Sequence, residues 1–287
     1  MWSYYKMENF LEHNIDIHEY ITGNRFIDIC ETLQITFCKT DYLSDYTNTE
    51  QSIFVTHNSD YHIERNRYSI KPRKIKKWFA LNKDYDDNNI ISIPIGVESM
   101  NFRINPTSHM GKYSSRGNGK DSFGKAIYLD KLAKQKIKHD KLIYLNMNPD
   151  TFRLERQHVL DLFGEDPRVT NRKNLIWKEY YEDLASHKFV ISPRGNGVDC
   201  HRTWEALYLR TIPIVRRSVC MNEFEDLPIL YIDKWEELCY TNLQEKYEEM
   251  VSKKYDLGKM KISYWEKRIA DAAGRVNECQ PLPGARL

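Results

Sequence analysis

Very little in this 287-residue chain is concentrated enough to announce a role. The six cysteines (Cys30, Cys38, Cys200, Cys220, Cys239 and Cys279) form no Cys-x-x-Cys pair and no metal-ligand spacing. That excludes a zinc ribbon or a disulfide framework and leaves free thiols as the expectation. No stretch approaches 18 apolar residues, and the N-terminus lacks a basic segment leading into an apolar one, so neither a span nor a leader is expected. The one Asn-x-Thr triplet, Asn105-Pro106-Thr107, is spoiled as a glycan acceptor by its proline. A soluble, cytoplasmic protein is therefore expected. Charge of one sign is also missing: 43 Lys and Arg against 41 Asp and Glu leave +2. Bulk nucleic-acid binding needs a basic excess, and this chain has none to offer. Internal repeats and low-complexity blocks are absent too.

What is present fits an ordinary globular chain with 41% hydrophobic and 29% charged residues. At about 150 residues per domain, its length suits two compact units. Aromatics reach 13%, with 19 Tyr, which suits a Tyr-rich core or a stacking surface. Residues 1–40 hold short apolar bursts, Phe26-Ile27-Asp28-Ile29 and Ile35-Thr36-Phe37, between polar turns. Residues 52–56 suit a strand, residues 75–82 a helix closed by Asn82, and residues 90–96 a strand closed by Pro94 and Gly96. Residues 101–122 suit a long loop and 121–138 a helix. A second alternation then begins: strands at 142–145, 188–191, 212–215 and 229–232, with helices at 153–163, 179–186 and 200–209. Helices at 235–251 and 264–273 follow. The class is α/β, with units at residues 1–139 and 140–258, and a last segment, 259–287, whose helix packs back on the first.

Chemistry concentrates in residues 187–218. A buried strand ends at Ser192, Pro193-Arg194-Gly195-Asn196-Gly197 forms a tight loop, and a helix begins near Val198. Two glycines let backbone approach a ligand and adopt positive φ. Free N–H groups at a helix start favour phosphate. Arg194 and Arg202 flank that end with fork geometry for a diphosphate, and Thr203 lies beside them. Glu205, three residues after Arg202, shares its helix face and suits two ribose hydroxyls. No Gly-Lys-Ser/Thr closes the loop and no GxGxxG is complete, so neither a P-loop nor a dinucleotide fingerprint applies. A plain strand-turn-helix with a solvent-facing arginine is the competing account.

The run SPRGNGVDCHRTWEALYLRTIPIV resembles the nucleotide-sugar signature of exostosin-like glycosyltransferases, including small virus-encoded ones. Thr56-His57-Asn58-Ser59-Asp60, Trp78-Phe79-Ala80 with Asn82, Ile93-Pro94-Ile95-Gly96-Val97-Glu98, Arg153 with Arg156, and Tyr264-Trp265 fit in order. Arg210-Thr211 stands where that family usually has Gly-Cys or Gly-Thr. The resemblance spans about residues 50–270. It implies a GT-B architecture, two Rossmann-like domains facing across a cleft with the C-terminal helix crossing back. It further implies inversion at the sugar, a donor diphosphate on Arg194 with Arg156 and Arg202, and a ribose on Glu205. A UDP-sugar donor, with xylose slightly preferred, and a glycan acceptor complete the expectation. No metal or other cofactor is expected, since arginines and a helix end can replace a cation. A silent nucleotide-sugar- or glycan-binding module is the alternative.

An inverting transfer also needs a base on the acceptor hydroxyl. Asp60 and His57, directly after the 52–56 strand, are the candidates, with Asp41, Asp45 and Glu98 in reserve. The Asn/Ser/Gly-rich loop around residues 109–119 suits an acceptor lid. Trp177, Tyr180 and Tyr181 suit either a base pocket or core packing. The Lys71–Lys77 patch suits a solvated face.

Overall fold

The computed structural model describes residues 7–46, 49–98 and 122–274. The expected lid at 109–119 lies outside them. A two-residue strand, β1 (Glu8–Asn9), precedes helix α1 (Gly23–Leu33). Thr22 caps that helix by accepting the Arg25 N–H, and Gln34 ends it in the left-handed region at φ 51°. Phe26, Ile29 and Cys30 are its buried face, so the first apolar burst is helical. The second burst supplies β2 (Thr36–Lys39).

Strands β3 (Ile53–His57), β4 (Lys77–Ala80) and β5 (Ile90–Ser92) complete a parallel sheet in the order β2-β3-β4-β5. Only a short helix, α2 (Arg65–Ser69), interrupts the β3–β4 link. The helix expected over 75–82 is thus a strand. Its side chains alternate faces: Phe79 and Leu81 join Ile53 and Val55 in the main core, whereas Trp78 and Ala80 join Phe54 and Ile90 in a smaller cluster. Both faces being apolar, the segment shows no polar stripe, and burial between two strands decides its form. Trp78 Nε1 donates to Thr56 Oγ1 at 2.9 Å across the pair. Asn82 then turns the chain at φ 56°.

Helix α3 (Ser122–Ala133) leads to the second sheet. Its elements alternate as β6 (Lys141–Leu145), α4 (Arg153–Phe163), β7 (Val169–Asn171), α5 (Trp177–Ser186), β8 (His187–Ile191), α6 (His201–Tyr208), β9 (Ile212–Arg216) and β10 (Leu230–Ile232). All strands are parallel, in the order β10-β9-β8-β6-β7. Counted within the sheet this is 2-1-3-4-5, the doubly wound order that reverses between β6 and β8. The first sheet runs in sequence order, and residues 81–89 join β4 to β5 without a helix, so it is not a second Rossmann-like half.

The expected helix at 235–251 is split into 3-10 turns, Trp235–Glu237 and Tyr240–Asn242, before α7 (Leu243–Ser252). Next, β11 (Lys254–Tyr255) pairs antiparallel with β1. Helix α8 (Ile262–Ala272) lies against α1, and the Ser263 N–H donates to Glu19 at 3.2 Å. One cluster of buried apolar side chains extends from Phe10 through Val55, Ile143 and Trp204 to Ile269. Helix α3 packs on α5 and α6. Among the described residues no helix is long and apolar enough to cross a membrane.

Candidate functional site

In a doubly wound sheet the connections on either side of the reversal leave for opposite faces and open a crevice at the carboxyl ends of the strands. Here that crevice lies between the residues after β6 and the loop 192–200 after β8. Arg156, buried on α4, ties the two together: Nε donates to the Arg194 carbonyl at 2.8 Å and Nη1 to the Asn148 carbonyl at 2.9 Å. Burial and the neighbouring Arg202 hold its pKa below the usual arginine range. Arg156 is therefore a brace whose donors are largely spent. Helix α6 starts at His201, three residues later than expected, with Cys200 as its N-cap.

The loop is also fixed from the first sheet. Asn82, where β4 ends, accepts the Asp199 N–H at 3.0 Å and donates to the Ser59 carbonyl at 3.1 Å. Neither Gly195 nor Gly197 has positive φ. Close approach is what requires glycine: a Cβ at Gly197 would lie 2.7 Å from Asn82 Nδ2. Asp199 is buried, and its carboxylate accepts N–H groups from Ile95, Cys200 and the Trp204 indole, each at 2.8 Å. Desolvation outweighs those donors and raises it to about 6. His201 Nδ1 adds a contact to the Gly96 carbonyl at 2.7 Å.

A cavity of about 90 Å³ opens beside this loop. At about 15 Å³ per water it has room for roughly six, or for a phosphate group. Ser192, Arg194, Thr203, Arg216, Arg217 and Ser218 line it, with Asp84 and Glu155 as its acids. Ser192 Oγ and Thr203 Oγ1 lie 3.0 Å apart. Arg194 stacks over Phe152 at 4.3 Å, and burial lowers its pKa. Arg216 pairs with Glu155 at 3.4 Å. Behind the loop, Arg202 Nη2 donates to the Asn146 carbonyl at 2.6 Å, while its buried Nε and Nη1 have no partner. Unsatisfied buried donors on a cation are costly.

Of the two base candidates, His57 is a structural residue. It is 1% exposed, Nε2 donates to the Pro94 carbonyl at 3.0 Å, and Nδ1 accepts the Asn58 N–H at 2.7 Å. Burial depresses it to about 4, and its ring stacks on Phe26 at 5.1 Å. Asp60 is exposed and reaches the loop, where Asn196 Nδ2 donates to it at 3.3 Å. Glu205 is buried, and both its oxygens accept tyrosine hydroxyls, from Tyr180 and Tyr181, each at 2.9 Å. The bidentate ribose contact expected of it is occupied from within. Trp177, Tyr180 and Tyr181 lie on α5, with Tyr181 in the core.

Sequence reasoning missed His62, Asp199 and the Arg216–Arg217–Ser218 run. The last carried a usable signal, two arginines at the carboxyl end of a parallel strand. Among the described residues no group of three or more His, Cys, Asp or Glu is placed to hold a metal ion.

No protein-family model matches the chain, and no curated protein matches it. Among solved structures it is similar to AviGT4, described as a glycosyltransferase involved in avilamycin A biosynthesis. That likeness has 10% sequence identity, covers 83% of this chain and 74% of that one, and has a TM-score of 0.31. At that level it assigns this chain neither fold nor activity.

Proposed function

We propose that this chain is a glycosyltransferase that moves a sugar from a UDP-linked donor to a glycan hydroxyl. The observation carrying this reading is the cavity at the carboxyl ends of β8 and β9, lined by Arg194, Arg216 and Arg217, next to the strand reversal where Arg202 leaves Nε and Nη1 unpartnered. Doubly wound sheets receive nucleotides at that position, and a guanidinium edge with free donors matches phosphate oxygens. As the sugar departs, negative charge grows on the diphosphate, and preorganised arginines stabilise it without a dedicated metal ion. The exostosin-like resemblance adds inversion at the anomeric carbon and a slight preference for xylose. In this reading residues 140–258 hold the donor, and the carboxyl edge of the β2–β5 sheet receives the acceptor. Glu205 acts by holding Tyr180 and Tyr181, not by touching ribose.

A thermal-shift screen against UDP-, GDP- and dTDP-sugars tests it. A donor at 100 times its dissociation constant adds about 2.7 kcal/mol of stability. The wild type should respond to UDP-sugars and an Arg202→Ala variant should not. Slow release of free sugar distinguishes an enzyme from a silent binding module. If no donor raises the melting temperature, the donor site is wrongly assigned.

A further inference from the structure

His62 touches the donor loop although no role above uses it. It follows β3 at the carboxyl edge of the first sheet, and the bridge between Ile63 and Lys83 sets it beside Asp84. Its Nδ1 lies 3.5 Å from Asp84 Oδ2, and its Nε2 lies 2.5 Å from Arg194 Nη2 and 2.9 Å from the Asn196 carbonyl oxygen. A guanidinium only donates, so Arg194 makes Nε2 an acceptor and leaves the ring proton on Nδ1, facing Asp84. The Asn196 oxygen, 2.9 Å from Nε2, then takes its hydrogen from Arg194 Nη2, 3.1 Å away. This is the tautomer a general base requires, with a lone pair on one nitrogen and the opposite nitrogen 3.5 Å from a carboxylate. Arg194 and Asp84 both line the anion cavity, so His62 is one contact away from it.

Resting on the glycosyl-transfer reading, we infer that His62 is the general base for the acceptor hydroxyl and that Arg194 masks it until the donor binds. Both protons of Arg194 Nη2 are committed, one to the imidazole and one to the Asn196 carbonyl oxygen at 3.1 Å, so a diphosphate gripped through Nη2 must displace one of them, and an anion attracts it more strongly than a neutral ring. Donor binding draws the guanidinium away and uncovers Nε2. The acceptor hydroxyl then gives its proton to Nε2 while its oxygen bonds to the anomeric carbon. The bond from that carbon to the diphosphate oxygen breaks, and its electron pair leaves with the nucleoside diphosphate held by Arg194. The imidazolium is balanced by Asp84 and later loses its proton to solvent. Donor must bind before acceptor. Asp60, exposed and held only by its hydrogen bond to Asn196, has no comparable orienting group.

Nuclear magnetic resonance of histidine-labelled wild type, titrated with UDP, reads the unmasking directly. The His62 ring signals, assigned by their loss in His62→Gln, should move as UDP saturates. UDP that binds without moving them overturns the masking. In steady state, His62→Gln should lower kcat about 100-fold or more, the range of a lost general base. Its donor KM should stay within about threefold, as should that of Asp84→Asn, whose kcat should fall about tenfold because Asp84 is a positioning residue. Asp60→Asn should lose less of its kcat than His62→Gln. If Asp60→Asn is dead while His62→Gln turns over, the base is Asp60 and this inference fails alone. If UDP does not bind at all, the glycosyl-transfer reading fails with it.

Discussion

Two buried histidines and one buried carboxylate give the chain opposing responses to acid. Burial holds His13 at about 3 and His57 at about 4, below the usual 6.5. Their contribution to stability is complete above pH 6.5 and is lost as the pH falls toward those values, because the unfolded chain takes up the protons first. Asp199 runs the other way. Its folded value of about 6 exceeds the ordinary 3.8, so its contribution is complete below 3.8 and is lost as the pH rises through 6. Between pH 7 and pH 5 these three groups together should remove about 2 kcal/mol. Urea midpoints at the two pH values measure this. Asp199→Asn should destabilise at pH 7 by about 1–3 kcal/mol, since its amide N–H would face backbone and indole donors. It should also steepen the acid loss, because the opposing titration is gone. An unchanged slope would show that Asp199 does not titrate in this window. None of these three environments is legible in sequence, since each is made by residues far apart in the chain: His13 meets the Leu207 carbonyl, and Asp199 meets Ile95.

Among the elements, the strands of the second sheet were legible because short apolar runs there alternate with amphipathic helices at close spacing. β4 was not. Lys-Lys-Trp-Phe-Ala-Leu has no polar face, and only its pairing with β3 and β5 distinguishes strand from helix. Phe79, fully buried, tests that packing: Phe79→Ala should cost about 3–5 kcal/mol in chemical denaturation. The Pro193–Gly197 loop was placed correctly between a strand and a helix, but the work of its glycines was not. Gly197 admits the anchored Asn82 amide, which hydrogen-bonds at both ends and cannot easily retreat. Gly197→Ala should therefore destabilise by about 1–3 kcal/mol, as overpacking does. UDP affinity should weaken in the same variant, since the loop must shift. An alanine variant with wild-type stability and affinity would mean the loop is free to move.

For the molecule as a whole, composition indicated two units, and the structure has two parallel sheets over a shared core. What composition could not convey is that the sheets differ in kind. Only the second reverses its strand order, and a reversal depends on where each crossover lands, not on the residues of any one strand. The near-neutral charge of +2 hides a local cluster of Arg194, Arg216 and Arg217, set against Asp84 and Glu155, around one cavity at the edge of that sheet. Everything proposed for the chain depends on an anion being held there. A crystal structure of the protein grown with UDP tests that most directly. Diphosphate density between Arg194 and the Nε edge of Arg202, with the Arg194 guanidinium withdrawn from His62, is the predicted result. UDP bound elsewhere, or an Arg194–His62 contact unchanged beneath a bound diphosphate, would contradict it.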